Sequence, residues 1–208
     1  MKKVPIVFPP VELADDDGLL AVGGNLEVET LLTAYRSGIF PWFSKGESIL
    51  WWSPDPRFVI LPENLIISSS MKKVLQKETF EIRFNTSFEQ VINECAKMKR
   101  RGQRGTWITD EMKEAYIDFH KAGFAFCGEA WNGNKLVGGF YGVKLNNCFF
   151  GESMFSKETN ASKAAFLTFA QSFFKDGGRL IDCQVYTEHL ESLGAKMMPR
   201  SEFVEMIG

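Results

Sequence analysis

Residues 124–155 read FAFCGEAW-NGN-KLVGGFYGVKL-NN-CFFGESMF, and this run decides the fold. Three apolar-rich segments, 124–131, 135–145 and 148–155, are separated by Asn132-Gly133-Asn134 and Asn146-Asn147. Asn and Gly tolerate the backbone of tight hairpin turns, so the pattern predicts an antiparallel three-stranded meander. Downstream, a helix over 161–175 stops at Gly177-Gly178. A strand over 179–185, a short helix ending at Gly194 and a strand over 195–198 follow it. Upstream lie a strand at 57–61, a basic helix begun by Ser69 or Ser70, and an alternating strand at 80–84. Ser87-Phe88-Glu89-Gln90 reads as a capping box opening the next helix, and Thr109 caps another that Gly123 ends.

The first 56 residues have a different texture. They are rich in Pro and Trp and carry one clear helix, capped by Asn25, with an apolar stripe of Leu26, Leu31, Leu32 and Tyr35 before Gly38. Pro41-Trp42-Phe43 and residues 50–56 read as rigid aromatic loops. The expected architecture is therefore α+β with a mixed sheet, a small N-terminal domain over 1–56 and a larger domain over 57–208.

Composition narrows the function. Hydrophobic residues make up 45% and charged residues 24%, which excludes a largely disordered chain. Aromatics reach 13%, enough for a sizeable apolar pocket beside a core. A net charge of -2 gives no overall attraction to nucleic acid, so any RNA contact needs a local basic patch. Lys2-Lys3 imitates the start of a signal peptide, but Pro9, Pro10 and Asp15-Asp16-Asp17 interrupt it. No run approaches the ~18 apolar residues of a membrane-spanning helix, so no membrane contact is expected. Cys95, Cys127, Cys148 and Cys183 show no metal-ligand spacing, and His120 and His189 stand apart. Reduced thiols, no metal and a cytoplasmic location are the expectation.

Asp182 and Gln184 lie two apart on a strand and share a face, with Cys183 pointing away. Glu152, on a neighbouring strand, adds a second carboxylate; the competing reading is a buried structural Asp-Gln pair. Cys183 has no His partner, so core packing is expected of it, and surface or capping roles are expected of both histidines. The element order resembles the topology of the GCN5-related acetyltransferases. That fold cradles coenzyme A pyrophosphate on bare amides before a helix. Residues 151–163 hold Glu152 there, which argues against a coenzyme A donor.

Seven runs resemble those of the leucyl/phenylalanyl-tRNA–protein transferases: GLLAVGGNL (18–26), GIFPWF (38–43), WWSPDPR (51–57), GTWIT (105–109), GESMFS (151–156), NASK (160–163) and LIDCQ (180–184). They occur in matching order across nearly the whole chain. The resemblance implies an acetyltransferase-like (GNAT-like) catalytic domain that moves Leu or Phe from charged tRNA to an N-terminal Arg or Lys of a protein. Such transfer marks the protein for degradation. The resemblance also implies no covalent acyl-enzyme and no cofactor, and a monomer is expected. By the same analogy Gln184 contacts the attacking amine and Asp182 orients and polarises Gln184, while the second negative charge of Glu152 suits a cationic acceptor side chain or an ammonium group.

An aminoacyl pocket should be apolar, and Met154, Ile181, Phe166, Phe169 and Phe173 are its candidates, with Gly151 allowing close backbone approach. Phe140 stands where the family pattern has Met, which narrows the pocket. Trp42 and Trp107 are candidates to stack on the terminal adenine or flank the donor side chain. Phosphate contacts are expected from Lys72, Lys73 and Lys77 and from Lys99, Arg100, Arg101 and Arg104. Ser69 departs from an Arg of the family pattern. On the residues alone, a coenzyme A-dependent acyltransferase and a non-enzymatic RNA-binding module remain open.

Overall fold

Residues 6–98 and 107–208 are described by a computed structural model. In the N-terminal part, β1 (Leu19–Val22), β2 (Phe40–Pro41) and β3 (Leu50–Trp52) pair antiparallel in the order β1-β3-β2, with α1 (Val28–Arg36) connecting β1 to β2. These strands replace the loops expected around the tryptophans, because two to four residues are too few for alternation to show. Trp51 is buried and donates its Nε1–H to the Gly23 carbonyl at 2.8 Å. Asn25 does not cap α1. Its Oδ1 accepts from the Glu27 N–H and the Thr30 hydroxyl and so shapes the turn entering the helix.

The larger part runs β4 (Arg57–Ile60), α2 (Ser69–Gln76), β5 (Glu81–Phe84), α3 (Phe88–Lys97), α4 (Asp110–Lys121), β6 (Ala125–Asn132), β7 (Lys135–Leu145) and β8 (Cys148–Ser156). It continues with α5 (Ala161–Lys175), β9 (Leu180–Gln184), α6 (Glu188–Glu191), β10 (Lys196–Met198) and α7 (Arg200–Ile207). Among the described residues seven strands form one mixed sheet, ordered β10-β4-β9-β8-β7-β6-β5, in which β8–β9 is parallel. The meander β6-β7-β8 sits where the turns placed it, with Asn146 and Gly133 at positive φ.

Three details depart from the sequence reading. Ser68, not Ser69 or Ser70, caps α2 through its side chain. Ser87 makes no side-chain cap on α3; instead the Thr86 and Ser87 N–H groups each donate to Glu129 Oε1 at 2.8 Å. A helix, α7, also follows β10; Pro199 is its N-cap residue, and it has only two turns to reveal a period. Residues of α1, α3, α4 and α7 share one core with one sheet face, whereas α2 and α5 belong to a second, Phe-rich core on the other. Among the described residues no helix is long and apolar enough to cross a membrane.

Candidate active site

Strands β8 and β9 are paired only at Cys148↔Leu180, Phe149↔Ile181 and Phe150↔Asp182. Past that point both are bulged. Pairing of β8 with β7 slips from Gly142↔Gly151 to Tyr141↔Ser153, leaving Glu152 as the extra residue. Gly142 makes this possible, since a Cβ there would stand 2.2 Å from the Phe150 carbonyl oxygen. On β9 the pairing with β4 slips between Val59↔Asp182 and Phe58↔Gln184, and Gln184 adopts φ 63°. That left-handed backbone is rare for Gln. The Gln184 N–H is held by Asp182 Oδ1 at 2.8 Å. The strands part here around a cleft of about 320 Å³.

Asp182 is fully buried and bound side-on by Arg57, with Nε–Oδ1 at 2.9 Å and Nη2–Oδ2 at 2.7 Å. The guanidinium lies between the rings of Phe40 (4.7 Å) and Phe203 (4.6 Å) and donates Nη1–H to the Gly38 carbonyl at 3.2 Å. Residues from the N-terminal part, β4, β9 and α7 thus meet at one charge pair. Such a planar bidentate fork fixes a carboxylate's orientation as well as its charge.

Glu152 is buried too, but among the described residues it has no cation partner. Its Oε1 accepts from the Tyr35 hydroxyl at 2.6 Å and from Gln184 Nε2 at 2.7 Å, and the Tyr116 hydroxyl lies 3.3 Å from Oε2. The two tyrosine hydroxyls also touch each other. Burial pushes the Glu152 carboxyl up to about 8 and the nearby Asp182 charge adds to this, against the donors from Tyr35, Gln184 and Tyr116. Burial, together with the Glu152 charge, raises both tyrosines well above the ordinary phenol range.

Of the residues expected at a site, Trp42, Trp107, Phe140, Gly151, Glu152, Met154, Phe166, Ile181, Asp182 and Gln184 all line this cleft. Phe169 and Phe173 do not: Phe169 packs behind Phe149 and Phe140, at centroid distances of 4.6 and 5.3 Å, and both rings face a separate groove. Phe169 and Phe173 do share one face of α5, their rings stacked at 5.4 Å, but the rings of Phe140 and Phe149 stand in front of it. Lys72, Lys73 and Lys77 are exposed on or just after α2 and do not line the cleft. Lys99, Arg100, Arg101 and Arg104 lie outside the described residues.

Two family models match the chain: "Leucyl/phenylalanyl-tRNA protein transferase" over residues 59–208 and the corresponding "N-terminal domain" over 24–55. The chain belongs to the leucyl/phenylalanyl-tRNA–protein transferase family. The transferase of Flavobacterium johnsoniae is 52% identical over 202 residues, covering 97% of this chain and 95% of its own. That of Syntrophus aciditrophicus is 55% identical over 203 residues, covering 97% and 84% respectively. Among solved structures, L-PGS from Bacillus licheniformis overlaps 79% of this chain and 55% of its own at 12% identity and a TM-score of 0.42, too loose a likeness to argue from.

As a member of the family the chain is a transferase with aminoacyl-tRNA and a protein as its substrates, and three of its cleft features escaped the sequence reading. Tyr35 and Tyr116 are core positions by helical periodicity, which says nothing of where a hydroxyl points. Arg57 opens an otherwise apolar strand, and that oddity was the available signal. His189 is no surface group: it lines the cleft with Nε2 3.2 Å from Met154 Sδ, and desolvation plus Lys163 hold its pKa below the ordinary value. Cys183 is buried as expected, and burial and Asp182 hold its thiol well above the reactive range. Glu152 sits within β8 rather than at the β8–α5 turn, where the carboxylate is Glu158. Glu152, lying within β8, therefore gives no ground against a coenzyme A donor at that turn.

Proposed function

We propose that the cleft seats the aminoacyl end of Leu-tRNA or Phe-tRNA and transfers that residue to the α-amine of an N-terminal Arg or Lys, marking the protein for N-degron-dependent degradation. The reaction exchanges an activated ester for an amide. The protein must therefore hold two substrates in near-attack geometry and manage one proton. The observation that carries this reading is the contrast across the cleft. One side offers Phe140, Phe149, Met154, Phe166 and Ile181 to an apolar side chain, and the other offers Gln184 and Glu152 to an amine. Gln184 commits Nε2 to Glu152, which leaves its Oε1 as the acceptor for the amine's N–H. Asp182 fixes the Gln184 backbone and acts as a positioning group rather than a base.

Trp42, 36% exposed at the rim, and the more deeply set Trp107 supply flat faces for the terminal adenine. The parted β8 and β9 of a mixed sheet support reading the larger part as acetyltransferase-like, and we assign it to residues 57–208 with 1–56 as the smaller domain. The basic residues of α2 and of 99–104 are proposed phosphate contacts, and the enzyme is proposed to act as a cytoplasmic monomer. Leu-tRNA, Phe-tRNA and acetyl-coenzyme A offered separately with an Arg-initiated peptide test the assignment. Transfer from the two tRNAs, abolished by ribonuclease, is expected. Transfer from the coenzyme A thioester, or from ribonuclease-treated donor, rejects it.

The depth of the cleft sets a second expectation. Phe140 stands edge-on to Phe149 and Phe166 at 5.8 and 5.6 Å. Its position is dictated by Gly128 across the hairpin, where a Cβ would come within 2.2 Å of the ring. Phe140→Leu removes part of that floor and should raise use of Phe-tRNA relative to Leu-tRNA by on the order of 10-fold. An unchanged ratio of kcat/KM values means that Phe140 does not limit the donor side chain.

A further inference from the structure

We propose that Glu152, working as one unit with the Tyr35 and Tyr116 hydroxyls, is the group that takes the proton from the acceptor's α-ammonium. The inference rests on the aminoacyl-transfer reading above and assigns the proton that this reading leaves without a destination.

Asp182 is the other carboxylate in reach, and its geometry disqualifies it. Both oxygens are occupied by Arg57, and Oδ1 also holds the Gln184 N–H. Protonating Asp182 would strand a guanidinium with no exposed surface between two Phe rings. Among the described residues Glu152 has no cation to strand, and its partners can rearrange without moving a heavy atom. With Glu152 ionised, Tyr35 and Gln184 donate to Oε1 and Tyr116 to Oε2. With a proton on Oε2, Glu152 donates to the Tyr116 oxygen, Tyr116 donates to the Tyr35 oxygen, and Tyr35 still donates to Oε1. Because the two hydroxyls touch, this ring closes and every polar hydrogen keeps an acceptor. Either charge state therefore keeps its hydrogen bonds within the protein, while the open cleft gives Glu152 a route to solvent.

The energetics agree. An α-ammonium has a pKa of about 7.7–8.0, and the Glu152 carboxyl is pushed up to about 8, so the proton moves between matched groups. The groups facing Glu152 are Tyr35 from α1, Tyr116 from α4, and Asp182 and Gln184 from β9. Tyr141 of β7 acts on it through Tyr116, and Arg57 of β4 through Asp182. Cys183 of β9 and His189 of α6 are the other titratable side chains on the cleft wall among the described residues. In the balanced step the ammonium gives one proton to the Glu152 carboxylate, and the neutral nitrogen forms a C–N bond to the ester carbon. The adduct then passes its second N–H proton to the departing ribose oxygen as the C–O bond breaks. Glu152 finally releases its proton to solvent.

The test is steady-state transfer by the full-length enzyme from Leu-tRNA to an Arg-initiated peptide, across pH, for the parent, Glu152→Gln and Tyr116→Phe. A base must be ionised, so parent kcat should rise with pH and level off above about 8, the value reached by the Glu152 carboxyl. Glu152→Gln keeps the shape but cannot take a proton, and its kcat should fall by roughly 100-fold or more, with acceptor KM within about 3-fold of the parent. Tyr116→Phe removes a donor that favours the carboxylate and should move the kcat limb to higher pH. That limb decides the matter if Glu152→Gln fails to fold. A preserved kcat with a raised acceptor KM in Glu152→Gln reduces Glu152 to a binding group and overturns the proposal. An unmoved limb in Tyr116→Phe overturns it as well. A parent that transfers from neither Leu-tRNA nor Phe-tRNA rejects the reaction itself, an outcome separate from any behaviour of the variants.

Discussion

Arg57→Met should lower folding stability by about 3–5 kcal/mol, because it leaves the Asp182 carboxylate buried with no counter-charge. For a chain of this size that corresponds to a drop in Tm of roughly 10 °C, read by calorimetry or circular dichroism. Transfer should be lost even below the new Tm, since Asp182 no longer holds the Gln184 N–H in its left-handed turn. The double variant Arg57→Met/Asp182→Leu separates the two effects. Replacing a buried ion pair with apolar groups of similar size is often neutral for stability. The double variant should therefore regain most of the lost Tm while remaining inactive. If it melts as low as the single variant, the pair is not what Arg57 contributes. If it regains activity, Asp182 has no part in positioning Gln184.

The same pair shows what could and could not be read from residues alone. The meander was legible because apolar-rich runs punctuated by Asn and Gly turn residues are a local signal, here spread over more than 30 residues. Gathering Glu152, Asp182 and Gln184 needed only that two strands be neighbours. The chemistry that distinguishes the two carboxylates was not legible, since it is set by contacts 125 residues apart for Arg57–Asp182 and 117 apart for Tyr35–Glu152. Two bulges, at Glu152 and opposite Phe58, aim these side chains, and a bulge is a mismatch between strands that neither strand records by itself. Phe169 and Phe173 fall outside the pocket wall for a related reason. Phe166, Phe169 and Phe173 share a helix, but which of them meets the cleft depends on Phe140 and Phe149, which occupy the space in front.

Glu129→Ala, on the strand two away from β8, should be strongly destabilising. Glu129 is fully buried on β6, yet it acts as the N-terminal anchor of α3. Its oxygens accept from the Thr86 and Ser87 N–H groups at 2.8 Å, the Thr86 hydroxyl, Trp131 Nε1 at 3.0 Å and the Cys127 thiol at 3.3 Å. Burial pushes this carboxyl upward, but the hydrogen bonds from Thr86, Trp131, Ser87 and Cys127 outweigh it and hold the pKa below the ordinary glutamate value. Each buried donor left without a partner costs about 1–3 kcal/mol, so losing several at once should exceed 4 kcal/mol or so. Because the folded pKa is depressed, the charged-state part of this stability is present above the unfolded Glu pKa of about 4.3 and fades as pH falls through the lower folded value. Glu129→Gln keeps one acceptor oxygen and should recover part of the loss, with a smaller difference from the parent in acid than at pH 7. α3 packs on β7 and β8, with Val91 beneath Gly139, so loosening it reaches the strand that carries Glu152. Hydrogen exchange at Val91 and Ile92 should therefore quicken along with the loss of Tm. Full protection at those amides in Glu129→Ala would show that α3 is anchored by its apolar face alone.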